Sequence, residues 1–227
     1  MNLLISLIAT IISAVFAGVV FRQFLARRRP YQLVWSLALL VFTLGTLFQF
    51  LAELGGWTTL LYRAWYFTGA MLAAALLGQG TMYLQASRRV ADVSAALLAV
   101  VSLIGLALVV ALPVDLSRAL TPQGVTGDGF PTTLLILLIP LNTYGTVALV
   151  GGALWSAFQF WRSGKFGRRA VGTFLIAVGG LTVAMGGTAN RLGVPGMLYL
   201  TELLGMAIIF VGYLQTVTPS TSTVRSN

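Results

Sequence analysis

The opening of the chain, MNLLISLIATIISAVFAGVVFRQFLARRRPYQLVWSLALLVFTLGTLFQFLAELGGW (1–57), sets two apolar runs on either side of an arginine turn, Arg27 to Arg29. Each run has the roughly 20 residues that a helix needs to cross the hydrocarbon of a bilayer. The same unit recurs down the chain, with apolar stretches at roughly 3–25, 33–54, 58–84, 91–112, 132–161, 169–188 and 196–215. At 58% hydrophobic and 8% charged, the 227 residues lack the polar side chains that a water-facing surface requires. The expected fold class is all-α: a polytopic membrane protein, a bundle of seven transmembrane helices with the lipid bilayer as its solvent. A transmembrane domain over 1–215 and a polar, disordered tail over 216–227 are the expected units.

Charge orients this bundle. Seven spans place Arg22, Arg27, Arg28, Arg29, Arg88, Arg89, Arg162, Lys165, Arg168, Arg169 and Arg225 on one side, and only Arg63, Arg118 and Arg191 on the other. The positive-inside rule then sets the N-terminus outside and the C-terminus in the cytoplasm of a cell whose inner membrane holds the protein. Met1 to Leu25 has no basic residue ahead of its apolar run, so it reads as a retained first span rather than a cleaved signal. Aromatic residues fit the frame as interfacial anchors, with Trp57, Tyr62 and Tyr199 near outer ends and Tyr31, Tyr83, Trp161 and Tyr213 near inner ends. The net charge of +9 is therefore a loop charge of a membrane protein, and nucleic acid is not an expected partner.

The residue inventory excludes much chemistry. There is no His and no Cys, only Lys165, and five carboxylates. Bis-histidine haem, histidine metal clusters, thiolate sites and a retinal Schiff base inside the seventh span are all removed, and no cofactor is expected. The expectation is a protein that is not an enzyme.

Polar residues inside apolar spans are costly, so those present are the candidates for function. Glu202 lies six residues into the seventh span, about 9 Å deep at helical rise, with Arg63 at a similar depth in the third. Three ion pairs are open: Arg63 with Glu202, Glu53 with Arg63, and Arg191 with Glu202. One reading makes them structural; the other makes an outward-facing pocket for a small molecule from Gln49, Glu53, Arg63, Tyr66, Asn190, Arg191 and Glu202. Pro140 interrupts the fifth span and is followed by Asn142, Thr143 and Tyr144, which serve either as a hinge or solute contact or as hydrogen-bonding groups for a neighbouring helix. Asp92 follows Arg88 and Arg89 as a favourable charge in a helix's first turn. The long connection from Pro113 to Pro131 is either a lid over that pocket or a passive loop.

Small residues mark close helix contacts: Gly172, Gly179 and Gly186 at seven-residue spacing, and Ala148, Gly152 and Ser156 in the fifth span. The two halves of the chain show a faint likeness at an offset near 140 residues, with Tyr62 and Gly69 matching Tyr199 and Gly205. That is the three-plus-one-plus-three span plan of some small transporters.

The runs RRRPYQLVWSLALLVFTLGTLFQFLAELGGW (27–57), YRAWYFTGAMLAAALLGQGTMYL (62–84) and GRRAVGTFLIAVGGLTVAMGGTANRLGVPG (167–196) resemble the seven-span sensor module at the N-terminus of some bacterial histidine kinases. The resemblance implies a sensor or receptor-like module that receives a signal at the membrane. Because the chain stops soon after its seventh span, its output is expected to pass through a partner membrane or signalling protein. A small-solute transporter and an accessory subunit of a membrane complex are the alternatives.

Overall fold

A computed structural model describes residues 1–163, 167–194 and 196–217. Among the described residues seven helices are long and apolar enough to cross a membrane: span 1 (Asn2–Arg27), span 2 (Pro30–Gly55), span 3 (Thr59–Gln85), span 4 (Arg88–Ala111), span 5 (Thr132–Arg162), span 6 (Arg168–Asn190) and span 7 (Gly196–Val217). The chain is an all-α, multi-pass integral membrane protein. Span 7 continues through Thr216 and Val217, which the sequence assigns to the tail. Residues 218–227 of that tail, and Lys165, lie outside the described residues.

Local chemistry sets the ends of the helices. Arg28 adopts a left-handed conformation (φ 50°), its N–H closing on the Phe24 carbonyl, and Pro30 then starts span 2 with its ring at a position where no N–H is needed. Thr58 and Ser87 cap spans 3 and 4 by accepting from the amides of Leu61 and Val90. Gly56, at φ 93°, ends span 2.

Spans 1, 2, 3, 5, 6 and 7 form a ring in which each packs on the next and span 7 closes on span 1. Span 4 lies outside this ring against span 3 and is the least buried of the seven. One end of the bundle, the loop face, carries the connection 113–131; the other, the arginine face, carries the turns after spans 1, 3 and 5.

Glycines set how closely the helices approach. A Cβ at Gly179 would stand 2.6 Å from the Gly205 carbonyl oxygen, and one at Gly172 would stand 2.6 Å from that of Gly212, so spans 6 and 7 meet backbone to backbone. The expected small-residue stripe of span 6 is this contact. Spans 2 and 3 cross in the same way at Gly45 and Gly69, where a Cβ would lie 2.8 Å from the facing Cα. These two crossings occupy matching places in the halves whose sequences resemble each other. In span 5, Gly152 and Ser156 take the Gln85 amide of span 3 on the Gly152 carbonyl (2.6 Å) and the Ser156 hydroxyl (3.0 Å).

The connection 113–131 is folded. It holds a short helix (Leu116–Ala119), a two-residue antiparallel pairing of Leu120–Thr121 with Gly124–Val125, and a tight turn at Gly127–Gly129. Tyr62 grips it by accepting from the Gly129 amide (3.1 Å) and donating to the Thr126 carbonyl (2.9 Å). From the far side the Val125 amide donates to the Tyr199 hydroxyl (3.4 Å), and Asn190 Nδ2 donates to the Val125 carbonyl (2.9 Å). Tyr62 and Tyr199 are thus fully buried clamps and do not belong to an interfacial belt. Tyr213 is buried too, beside Phe16 and Trp35, and donates to Gln23 (2.7 Å). In each case a phenol that would otherwise face headgroups satisfies a polar group inside the protein.

Overpacking tests the glycine crossings. Gly179→Ala should lower stability by about 1–3 kcal/mol, whereas Gly151→Ala, where a Cβ meets nothing within 4 Å, should change it by less than about 0.5 kcal/mol. Thermal unfolding of both variants in one detergent decides; equal melting temperatures would refute the close crossing.

Candidate functional site

Span 7 presents Leu198, Glu202, Met206 and Ile209 on one side, because spacings of four, four and three residues return to the same helix face. They form one wall of a cavity of about 460 Å³, a volume typical of small-molecule sites. Span 3 supplies Trp65, Tyr66, Gly69 and Ala70, span 5 supplies Leu138, Ile139, Asn142 and Thr143, and span 6 supplies Val183, Gly187, Thr188 and Asn190. Gly127 of the folded loop closes its end at the loop face. A wider and more open groove at the arginine face, between Arg27, Arg29, Tyr31 and Tyr83, holds only surface charges and has none of this enclosure.

The walls owe their shape to irregular turns. Span 3 widens into a π-type turn at Tyr66–Leu72 and span 5 into another at Val147–Gly151, about seven residues after Pro140. Asn142 Nδ2 donates to the carbonyl of Ala70 (2.8 Å) within the first of these, and to Leu138 (3.1 Å) on its own helix. Tyr144 donates to Gln79 (2.5 Å), whose amide donates to the Ala91 carbonyl (2.9 Å) of span 4. After Pro140, therefore, Asn142 bonds to a neighbouring backbone and Tyr144 to a neighbouring side chain, and Asn142 and Thr143 also face the cavity.

Spans 5 and 6 touch at mid-membrane and part toward the loop face. A Cβ at Gly180 would lie 3.2 Å from Leu149 and Val150, but one at Gly187, two turns further, would meet nothing within 4 Å. Ile139 and Val147 on one edge of this gap and Met185 on the other are exposed on the outside of the bundle. The cavity opens sideways there, where its lining residues Ile139 and Val147 reach the outside of the bundle. Toward the arginine face it ends on a packed plug of Phe16, Leu39, Leu77, Leu149, Ile176, Met206 and Tyr213, with Trp35 wedged against Gly80 and bonded to the Leu77 carbonyl (3.1 Å).

Of the residues singled out from the sequence, Tyr66, Asn142, Asn190 and Glu202 line this cavity. Gln49 is fully buried beside Glu202 and Tyr199, with neither amide atom in hydrogen-bonding geometry. Glu53 accepts from Tyr199 (2.6 Å) and Trp57 (3.4 Å) at the loop face. Arg63 points the other way, toward the end of span 4, where it donates to the carbonyls of Val109, Val110 (2.6 Å) and Leu112 (2.9 Å) and lies over Phe130. It caps a helix C-terminus that has no further turn to bond to. Neither Arg63–Glu202 nor Glu53–Arg63 is formed. The side chain of Arg191, and with it the pairing to Glu202, lies outside the described residues. Among the described residues the one ion pair is Arg88–Asp92 (3.0 Å), an exposed pair within one helical turn, of a kind worth little.

The loop above the site has its own electrostatics. Asp115 accepts from the Ser117 hydroxyl (2.6 Å) and amide (3.0 Å), bonds that hold its carboxyl below the usual aspartate range. A carboxyl depressed in this way supports the short helix at neutral pH and loses that effect as the pH falls through its lowered value.

Comparison with protein-family models, with curated proteins and with solved structures finds no match. The site rests on its geometry.

Arg63 and Glu202 should respond separately to mutation. Arg63→Ala strands carbonyls at the end of span 4 and should cost about 1–3 kcal/mol; Glu202→Gln breaks no ion pair to a described residue and should stay within about 0.5 kcal/mol. Melting curves in detergent at neutral pH check both, and an equal loss for the two variants would mean that they act as a pair.

Proposed function

We propose that this chain is a non-enzymatic, sensor-like seven-span protein of the inner membrane, with its loop face outside, that takes a ligand in the cavity and passes the response to a partner protein at the cytoplasmic, arginine-rich face. The observation that carries this reading is the closed end of the cavity. A transporter needs a polar path that meets both faces; here the wall from mid-membrane to the arginine face is Phe16, Leu39, Leu77, Ile176 and Tyr213. Eleven basic residues against three support the orientation. The sequence resemblance to kinase sensor modules supports the role. Irregular turns in spans 3 and 5 flank the cavity and continue as helix to the arginine face, which offers a route for a ligand to shift the ends of those spans.

A second reading has one observation in its favour: paired π-type turns beside a mid-helix proline are hinge-like, as in an alternating-access transporter. Since the chain has no Cys, one introduced thiol separates the two readings. Ala153→Cys sits in the plug. In a sensor it should stay unreactive to a membrane-impermeant thiol reagent supplied at the arginine face, with ligand or without. Labelling that ligand switches on, together with ligand accumulating inside proteoliposomes, would replace the sensor with the transporter.

A further inference from the structure

Several polar groups on the cavity wall have spent donors on backbone. Both protons of Asn142 Nδ2 go to backbone carbonyls, Ala70 and Leu138, and Asn190 Nδ2 goes to the Val125 carbonyl. Thr188 likewise donates to its own helix at Ala184 (3.1 Å). The acceptors left on the lining include the Asn142 oxygen and the carboxylate of Glu202, and Asn190 Oδ1 is buried without a partner. Glu202 is the only ionisable carboxylate in the lining and has no cation beside it among the described residues. A carboxylate taken out of water is costly without a partner of opposite charge. The rest of the wall, including Phe42, Leu77, Leu138, Leu149, Met206 and Ile209, is apolar and extends from Glu202 toward mid-membrane.

We propose that the cavity binds a lipophilic primary amine, its ammonium on Glu202, its alkyl tail on the apolar wall, and that the amine enters from the bilayer through the cleft between spans 5 and 6. This rests on the reading of the cavity as the protein's ligand site and adds the chemistry of what fills it. An ammonium has three donors, no acceptor and a positive charge, the complement of a carboxylate that has no cation beside it among the described residues. A fatty acid would set a second carboxylate against Glu202, and a long-chain alcohol has one donor and no charge. Lateral entry follows from the gap beside Gly187 and from Ile139 and Val147, apolar lining residues exposed on the outside of the bundle; an amphiphile already dissolved in the bilayer needs no aqueous path.

The test uses the full chain in nanodiscs of neutral phosphatidylcholine, with dodecylamine, dodecanol and dodecanoate as probes and native mass spectrometry as the readout. Dodecylamine should bind saturably at one per chain, with the alcohol weaker by about tenfold or more and the acid absent. Glu202→Gln should weaken the amine by a similar factor while its melting temperature stays unchanged, and Gly187→Leu, which fills the mouth of the cleft, should also reduce binding. Equal affinity for amine and alcohol, binding of the acid, or full amine affinity in Glu202→Gln would overturn the assignment. Spin-label distances at the arginine face separate this from the functional reading. Specific amine binding with no change there leaves the ligand class standing and removes the sensor; a change there driven equally by the alcohol removes the ligand class and leaves the sensor.

Discussion

In hydrocarbon no water stands ready to bond a backbone carbonyl or amide, so each polar group inside the bundle must find its partner within the protein. Most are satisfied by helix formation, and the informative side chains are those that serve the exceptions. Arg63 reaches the open carbonyls at the end of span 4. Asn142 answers Ala70 where span 3 widens, and Tyr62 supplies both a donor and an acceptor to the folded loop. Gln79 ties spans 3, 4 and 5 together through Tyr144 and the Ala91 carbonyl. The polar residues that looked like chemistry in a linear reading are largely committed to this task.

That commitment gives the cavity its character. Asn142 and Asn190 spend amide protons on backbone, and Glu202 adds a carboxylate to the lining, so an otherwise largely apolar chamber acquires an acidic pole. Glycine crossings on either side hold the chamber's shape. Spans 6 and 7 touch at Gly172–Gly212 and Gly179–Gly205, and spans 3 and 5 touch at Gly78–Gly145, while the wall between spans 5 and 6 is left to part beyond Gly180. Close contact midway along the helices and divergence toward the loop face produce a chamber that opens to the side of the bundle and is stopped from the far side.

Much of this was legible in the linear chain. The number of spans follows from apolar run length, and the stripe Gly172, Gly179, Gly186 announced a close helix contact. Tyr66, Asn142, Asn190 and Glu202 were visible as polar residues in apolar surroundings. Other assignments failed for identifiable reasons. Tyr62 and Tyr199 sit at the right depth for an interfacial belt, and depth alone does not reveal that a loop folds over them. Arg63 and Glu202 share a depth as well, but their helices turn them toward different neighbours, a matter of rotation about the helix axis that spacing along one chain does not contain.

By itself the sequence determined that the polypeptide lives in lipid as seven helices and which of its ends share a face, because the length of an apolar run and the placement of arginines are one-dimensional properties. It also determined which reactions lack their residues. Only the tertiary structure decided which polar groups meet, that Glu53 goes to a tyrosine and Arg63 to a helix end, and that a chamber remains with Glu202 at its edge. Those outcomes depend on how helices rotate and cross, which glycine contacts and the hydrogen-bonding demand of buried backbone settle jointly across residues far apart in the chain.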